Sequence, residues 1–262
     1  MTKQRRIEMS DKVKQKYQNK LGEEFGLVFH GLWKDWILAL MRMQEYIELF
    51  SNTEHVKLLN AITGGAFLRD IQHIFWDDLM LRVTRLTDPS CTSGKSNLTV
   101  KRLSDFCKDK GAELHTEVSD RVKQASDAAE FARDWRNRSI SHRDLALAIE
   151  PDAKPLAQAS LRQVKTALDE VRKVLRAISV PLLKEEIADF VVTTPIARAF
   201  VCYTQQLAEA VKYIDSIIDP GGKVPITDRG VAGDFLCKLG CKPTREQVMQ
   251  IIELREAAHK FR

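Results

Sequence analysis

Residues 27–50 constrain the fold of this chain more than any other stretch. Apolar side chains recur there at the spacing of an α-helix, and they form a stripe too wide to be buried against a single neighbour. Five charged residues interrupt the stretch, which makes it too polar to span a membrane. The stripe predicts a central helix of a bundle, with apolar positions at Leu32, Trp33, Trp36, Ile37, Leu40, Met41, Ile47 and Leu49.

Helical periodicity continues through the rest of the chain, without strand-like alternation longer than a few residues. We therefore predict an all-α fold, a bundle of long antiparallel helices with extra N- and C-terminal helices. Ser10 and Asn97 are placed to cap two of them, and Thr244 forms a capping box with Gln247 before the last. Beside residues 27–50, the predicted helices span residues 10–25, 54–88 (weakened at Gly64 and Gly65), 97–107, 113–151, 156–178, 195–218 and 243–261.

Loop signals and charge divide the chain into three regions. A basic helix is expected over residues 1–24, the bundle over residues 25–219, and a loop with the C-terminal helix over residues 220–262. Residues 1–20 contain seven Lys and Arg residues against Glu8 and Asp11, which accounts for the net charge of +5. Such a segment is typical of a solvated helix, and it also suits contact with nucleic acid or an acidic partner.

The sequence gives little indication of an export signal or of a metal site. The chain begins without a signal-like apolar stretch and has five irregularly spaced cysteines, which predicts reduced thiols and a cytoplasmic protein without membrane contact. Cys237 and Cys241 lack a second ligand pair at zinc spacing. Asp77 and Asp78 are adjacent on a helix and point apart. We therefore expect neither a metal ion nor a cofactor.

Residues 131–144 form the most unusual stretch chemically. Four arginines and one histidine have only two aspartates as local counter-charges. A buried helix would not carry that surplus, because unpaired charge is costly to bury, whereas forked guanidinium groups suit a phosphate. The stretch predicts either an anion site or a surface salt-bridge cluster, built from Arg133, Asp134, Arg136, Arg138, His142, Arg143 and Asp144.

Within this stretch, Arg136 is followed by the polar Asn137 and, after small hydroxyl residues, by His142. This pattern resembles the motif of the HEPN superfamily of helical domains, and more specifically its AbiU2-like branch, which is associated with abortive infection. Residues 85–89, which close a long helix, and residues 97–103, which open the next, are similar to that branch too. The resemblance spans about residues 25–215.

The resemblance implies metal-independent RNA cleavage in a composite site where two protomers place their motifs face to face. Arg136 would hold the scissile phosphate, and His142 would act as general base or acid on the ribose 2′-hydroxyl. Asn137 would orient one of them, with support from Arg138, Ser141, Arg143 and Asp144. The partners implied are RNA, a second copy of the chain, and an antitoxin or nucleotidyltransferase-like protein.

Helix geometry complicates these roles. On a straight helix, six residues leave Arg136 and His142 roughly 120° apart, whereas Arg138 and His142 share a face. Either the helix distorts near residues 139–141, or Arg136 acts across a dimer, or Arg138 does part of the phosphate work. Two other functions stay open at this point, a non-catalytic scaffold that binds RNA, nucleotide or protein, and a subunit that partners a nucleotidyltransferase-like protein.

Overall fold

The computed structural model describes residues 3–63, 65–188 and 196–218, in which ten α-helices and one small ribbon are found. The all-α prediction is confirmed. The helices are α1 (Lys3–Leu21), α2 (Glu23–Phe50), α3 (Thr53–Thr63), α4 (Gly65–Thr87), α5 (Lys101–Cys107), α6 (Ala112–Ala128), α7 (Glu130–Trp135), α8 (Leu145–Ile149), α9 (Leu161–Ile178) and α10 (Ile196–Ile218). The ribbon pairs β1 (Cys91–Thr92) with β2 (Lys95–Ser96) in antiparallel register.

Helix α2 is the centre of the bundle, as its wide apolar stripe predicts. It contacts α1, α3, α4, α5, α9 and α10. Phe29 and Leu32 are fully buried, and the Trp36 indole donates a hydrogen bond of 2.9 Å to the Leu168 carbonyl of α9. One predicted core position is wrong, because Ile47 is 40% exposed near the end of the helix.

Helix α9 packs against the core through one face. Its apolar residues recur every three or four positions, so that one face is buried against α6, α4 and α2 while the other carries charge. The helix begins at Leu161, where the Ser160 side chain accepts a hydrogen bond from the Gln163 amide. The buried face consists of Val164, Ala167, Leu168, Val171, Val174, Leu175, Ala177 and Ile178.

The basic N-terminal helix packs against α2. Helix α1 begins at Lys3, before Ser10, and it ends at Leu21 because Gly22 adopts a φ of 100°. Ser10 is therefore not a cap, and the predicted end at Phe25 is wrong. The two helices approach closely at Gly26, where a Cβ would lie 2.5 Å from the Gln18 Cα. Tyr17 and Leu21 are buried in the core, so this part of α1 is fixed to the bundle.

Several predicted boundaries differ from the structure. Residues 91–96 form the ribbon, and Asn97 donates to the Pro89 carbonyl and the Thr92 hydroxyl instead of capping a helix. The predicted helix over residues 113–151 is broken into α6, α7, a π-helical turn (Arg136–Ile140) and α8. Residues 150–160 are not helical, so the predicted start at Leu156 is wrong. The predicted C-terminal helix and its loop lie outside the described residues.

Helical structure also continues through Pro181. A second π-helical turn (Ser179–Leu183) follows α9 and ends where Lys184 adopts the left-handed conformation. None of the helices in the described ranges combines the length and the hydrophobicity needed to cross a membrane.

His30 should make the stability of the bundle depend on pH. The residue is 6% exposed, and burial, together with Lys34 and Lys14, lowers the pKa of its imidazole from the ordinary value of 6.5. Because the unfolded chain then takes up the proton first as the pH falls, the native state loses stability below about pH 6.5. We expect the unfolding free energy of the wild type, minus that of His30→Phe, to fall as the pH is lowered from about 7.5 to about 5.5. Urea unfolding measures it, and a constant difference would contradict this assignment.

Candidate functional site

The arginine–histidine stretch lies where one long helix is bent. Helix α6 ends at Ala128, α7 follows, and residues 136–140 widen into the π-helical turn, with the Ser141 amide donating to the Arg136 carbonyl at 2.8 Å. Asp144 then caps α8 by accepting a hydrogen bond of 2.8 Å from the Leu147 amide. Of the three alternatives that the spacing of Arg136 and His142 left open, a distortion of the helix is therefore present, in a type of turn that often occurs at functional sites.

Arg136 is held by a residue from another helix. Its Nη1 donates to both carboxylate oxygens of Asp88, at 2.7 and 2.6 Å, and its Nε donates to the Asn137 side-chain oxygen at 3.0 Å. Both partners of the ion pair are partly buried, with side-chain exposures of 26% for Arg136 and 15% for Asp88. The Arg136 Nη2 has no hydrogen-bond partner within the described part of the chain.

The three stretches that carry the family resemblance meet at this ion pair. The Thr99 hydroxyl, from the stretch that precedes α5, donates to the Leu86 and Asp88 carbonyls at 3.2 and 2.7 Å. Arg133 reaches the same helix end from α7 and donates to the Thr87 hydroxyl at 3.2 Å. The end of α4 is thereby tied to both of the other stretches.

Arg138 makes its contacts within the protein. It donates to the Lys154 and Pro155 carbonyls at 2.6 and 3.2 Å, and it lies 3.6 Å from Asp134 and 3.5 Å from Asp144. Its side chain is 19% exposed. These contacts fasten the non-helical residues 150–160 to the π-helical turn, so the predicted pairing of Arg138 with His142 on a regular helix is not the geometry found.

Asp144 shares this structural role. The hydrogen bond from the Leu147 amide, followed by the charge of Arg138, holds the pKa of its carboxyl below the ordinary value. A carboxylate at the start of α8 is also favoured by the helix dipole. Asp144 is therefore a capping residue in addition to its predicted support of the site.

The remaining predicted residues are exposed at the turn. His142 and Arg143 are exposed, and neither side chain has a hydrogen bond or ion pair among the described residues. Ser141 is exposed beside them, and Asn137 is exposed while it contacts Arg136. These side chains are free to contact a ligand. No group of three His, Cys, Asp or Glu side chains suited to a metal ion is found in the described ranges.

Most of the positive charge in the stretch is compensated. Arg133 pairs with Glu130 at 2.7 Å, Arg136 pairs with Asp88, and Arg138 lies between two aspartates. Asp88 and Glu130 are the functional neighbours that reasoning from the sequence missed. Glu130 could have been found from its i,i+3 spacing, whereas Asp88 is 48 positions away. Within the stretch, Arg143 is exposed and has no partner among the described residues, and the same is true of Arg85 near the end of α4.

The family can now be assigned. The all-α bundle is consistent with a HEPN-like fold, and the model of the AbiU2 family of HEPN domains matches residues 22–213. Since the match covers more than half of the chain, the protein belongs to the AbiU2-type HEPN family. The resemblance predicted from the motifs is confirmed. No curated protein and no solved structure matches the chain.

Proposed function

We propose that this protein is a metal-independent endoribonuclease that acts as a toxin-type effector in abortive infection. One observation carries the proposal. At a single turn, Arg136 keeps one guanidinium nitrogen without a partner among the described residues, and the His142 side chain is exposed. A guanidinium can stabilise charge that develops on a phosphate, and an imidazole titrates near neutral pH.

The chemistry uses a nucleophile that RNA supplies itself. His142 removes the proton of the ribose 2′-hydroxyl, and the 2′-oxygen attacks the adjacent phosphorus while Arg136 neutralises the charge on the phosphate oxygens. The bond from phosphorus to the 5′-oxygen breaks, and that oxygen leaves with a proton. The products are a 2′,3′-cyclic phosphate and a 5′-hydroxyl end. In a composite site, the second copy of His142 donates the proton to the leaving oxygen.

The products and the substrate requirement test this proposal. Purified protein in a chelator such as EDTA should cut single-stranded RNA and leave cyclic phosphate ends. An oligonucleotide of the same sequence with 2′-deoxyribose at every position should stay intact, because it lacks the nucleophile. Cleavage of both substrates, or cleavage that depends on added divalent ions, would overturn the mechanism.

A homodimer is the assembly that this mechanism requires, and the surface beside the site supports it. Leu145 and Ile149 lie four residues apart on α8, which begins two residues after Arg143, and they are 71% and 67% exposed. Neighbouring exposed apolar side chains of this size are typical of contact surfaces. We propose that α8 contributes to the contact between two copies, which brings both His142 side chains to one cleft.

Acidic substitutions on α8 should separate the two copies of the chain. We expect the double substitution Leu145→Glu and Ile149→Glu to convert a dimer to monomers and to abolish RNA cleavage, because buried carboxylates would oppose the contact. Stability of each copy should change by less than about 0.5 kcal/mol, since both positions are exposed. Sedimentation and cleavage rates measure the two effects.

The control is Ile74→Glu, which adds one negative charge, half that of the double variant, at a residue that is 61% exposed on α4. It should leave the dimer intact. A wild-type protein that cuts RNA as a monomer would contradict the composite site.

A second candidate function is a non-catalytic one, in which the site binds RNA or a partner such as an antitoxin or a nucleotidyltransferase-like protein. It is favoured by one observation, that no described side chain hydrogen-bonds to His142 to fix its orientation as a catalytic base is usually fixed. RNA binding without turnover at any pH would establish this function in place of the first.

A further inference from the structure

Asp88 occupies an unfavourable place for a carboxylate. It directly follows α4, whose last carbonyl groups give the helix end a partial negative charge. Its side chain is only 15% exposed, so water screens that charge poorly. The ion pair with Arg136 offsets this cost. Asp88 therefore contributes to the structure by binding Arg136 and not by stabilising the end of α4.

The contacts of Arg136 fix the plane of its guanidinium group. Asp88 binds Nη1 through both carboxylate oxygens, and Asn137 binds Nε. Because a guanidinium is planar and its three nitrogens have fixed directions, two anchored nitrogens determine where the third points. The Nη2 group is thus oriented by the protein before any ligand arrives.

Asp88 is itself held in place. Its carbonyl accepts the Thr99 hydroxyl at 2.7 Å, and the next carbonyl, of Pro89, accepts the Asn97 side chain at 2.8 Å. Asn97 and Thr99, which follow the ribbon, therefore anchor the backbone at Asp88 and at the residue after it. A support of this kind limits the movement of the guanidinium that it holds.

We propose that Asp88 is a positioning residue, which aims Nη2 of Arg136 at the scissile phosphate and weakens RNA binding in doing so. This inference rests on the proposed ribonuclease function. The negative charge of Asp88 lies next to the phosphate that Arg136 binds, so it repels RNA in the ground state. Orientation, in contrast, accelerates the chemical step. Removing the charge should therefore move affinity and turnover in opposite directions.

The substitution Asp88→Asn tests this separation, because it keeps the size of the side chain and one oxygen acceptor. We expect single-turnover cleavage to be about 10- to 100-fold slower. Affinity for an uncleavable RNA, with 2′-deoxyribose at the cleavage site only, should rise severalfold. Asp88→Glu, which restores the charge, should lower that affinity again.

The matched control is Glu186→Gln, which removes a carboxylate bound to Arg176 at 2.8 Å on an exposed surface remote in sequence from the motif. It should change neither quantity. If Asp88→Asn lowers rate and affinity together, the residue has a merely structural role and the inference is wrong. Unchanged rate and affinity would overturn it as well.

A readout without catalysis separates this inference from the proposed function. The Nε–Hε signal of Arg136 in ¹⁵N NMR should be rigid in the wild type and mobile in Asp88→Asn. If the wild type cuts no RNA, the proposed function fails, and positioning still stands on a mobile signal together with tighter RNA binding. Equal mobility of the Arg136 signal in the wild type and in Asp88→Asn would contradict the positioning role, whatever the cleavage activity.

Discussion

The substitution His142→Ala should abolish RNA cleavage and leave the fold intact. Loss of a general base or acid slows a reaction by about 10²- to 10⁴-fold, and in a composite site both proton transfers are lost together. The side chain is exposed and has no partner in the described part of the chain, so the unfolding free energy should change by less than about 0.5 kcal/mol. Cleavage rates in a chelator and thermal melting measure the two quantities.

The control for this prediction is His73→Ala, which removes another exposed imidazole from α4. It should cleave at the wild-type rate. The same pair can be compared in cells, where induced wild type and His73→Ala should arrest growth and His142→Ala should not. Persistent cleavage by the His142 variant would remove this residue from the mechanism and favour the non-catalytic function.

The second large effect is expected at Trp135, immediately before the site. Its ring packs on the core with its centroid 6.3 Å from that of Trp76, and its indole donates a hydrogen bond of 2.8 Å to the Ala157 carbonyl. Trp135→Ala leaves a cavity and removes one of the contacts that hold residues 150–160 on the bundle. We expect the free energy of unfolding to fall by about 3 kcal/mol. Denaturant unfolding gives this value.

Trp135→Phe separates packing from the hydrogen bond. It keeps most of the aromatic contact and loses only the indole donor, so a loss of about 1 kcal/mol is expected. Equal destabilisation by both variants would show that the hydrogen bond to Ala157, and not the packing of the ring, holds this segment. Trp135→Ala should also cleave RNA more slowly under conditions in which it is folded. Arg138, in the same π-helical turn as Arg136, binds this segment through the Lys154 carbonyl, so a change in the segment should disturb the turn.

Local patterns predicted those parts of the molecule that local physics determines. The width of the apolar stripe placed α2 at the centre, since a helix that is apolar on several sides must have neighbours there. The family followed from three short stretches, residues 85–89, 97–103 and the run from Arg136 to His142, in the context of an all-α chain. Both conclusions depend on patterns that can be read within short stretches of the sequence.

The ion pair of Arg136 with Asp88 depends on how two helices pack, so it could not be predicted. Periodicity states which face of a helix is buried but not which residue of another helix lies opposite. The start of α9 differs from the prediction for a related reason. A helix is predicted from Leu156, yet the Ala157 carbonyl is bound by Trp135 and the neighbouring Lys154 and Pro155 carbonyls are bound by Arg138, and these tertiary contacts outweigh local propensity.

For the ribonuclease that we propose, the pairing of arginines at the turn has a consequence for which RNA would be bound. Binding driven by phosphate neutralisation releases counterions, and affinity then falls steeply as salt is added. Arginines that already face carboxylates release few of them, so Arg133, Arg136 and Arg138 add little to general attraction for nucleic acid. A site of this kind would ignore most of the RNA in a cell and act on strands whose shape lets one phosphate reach the turn.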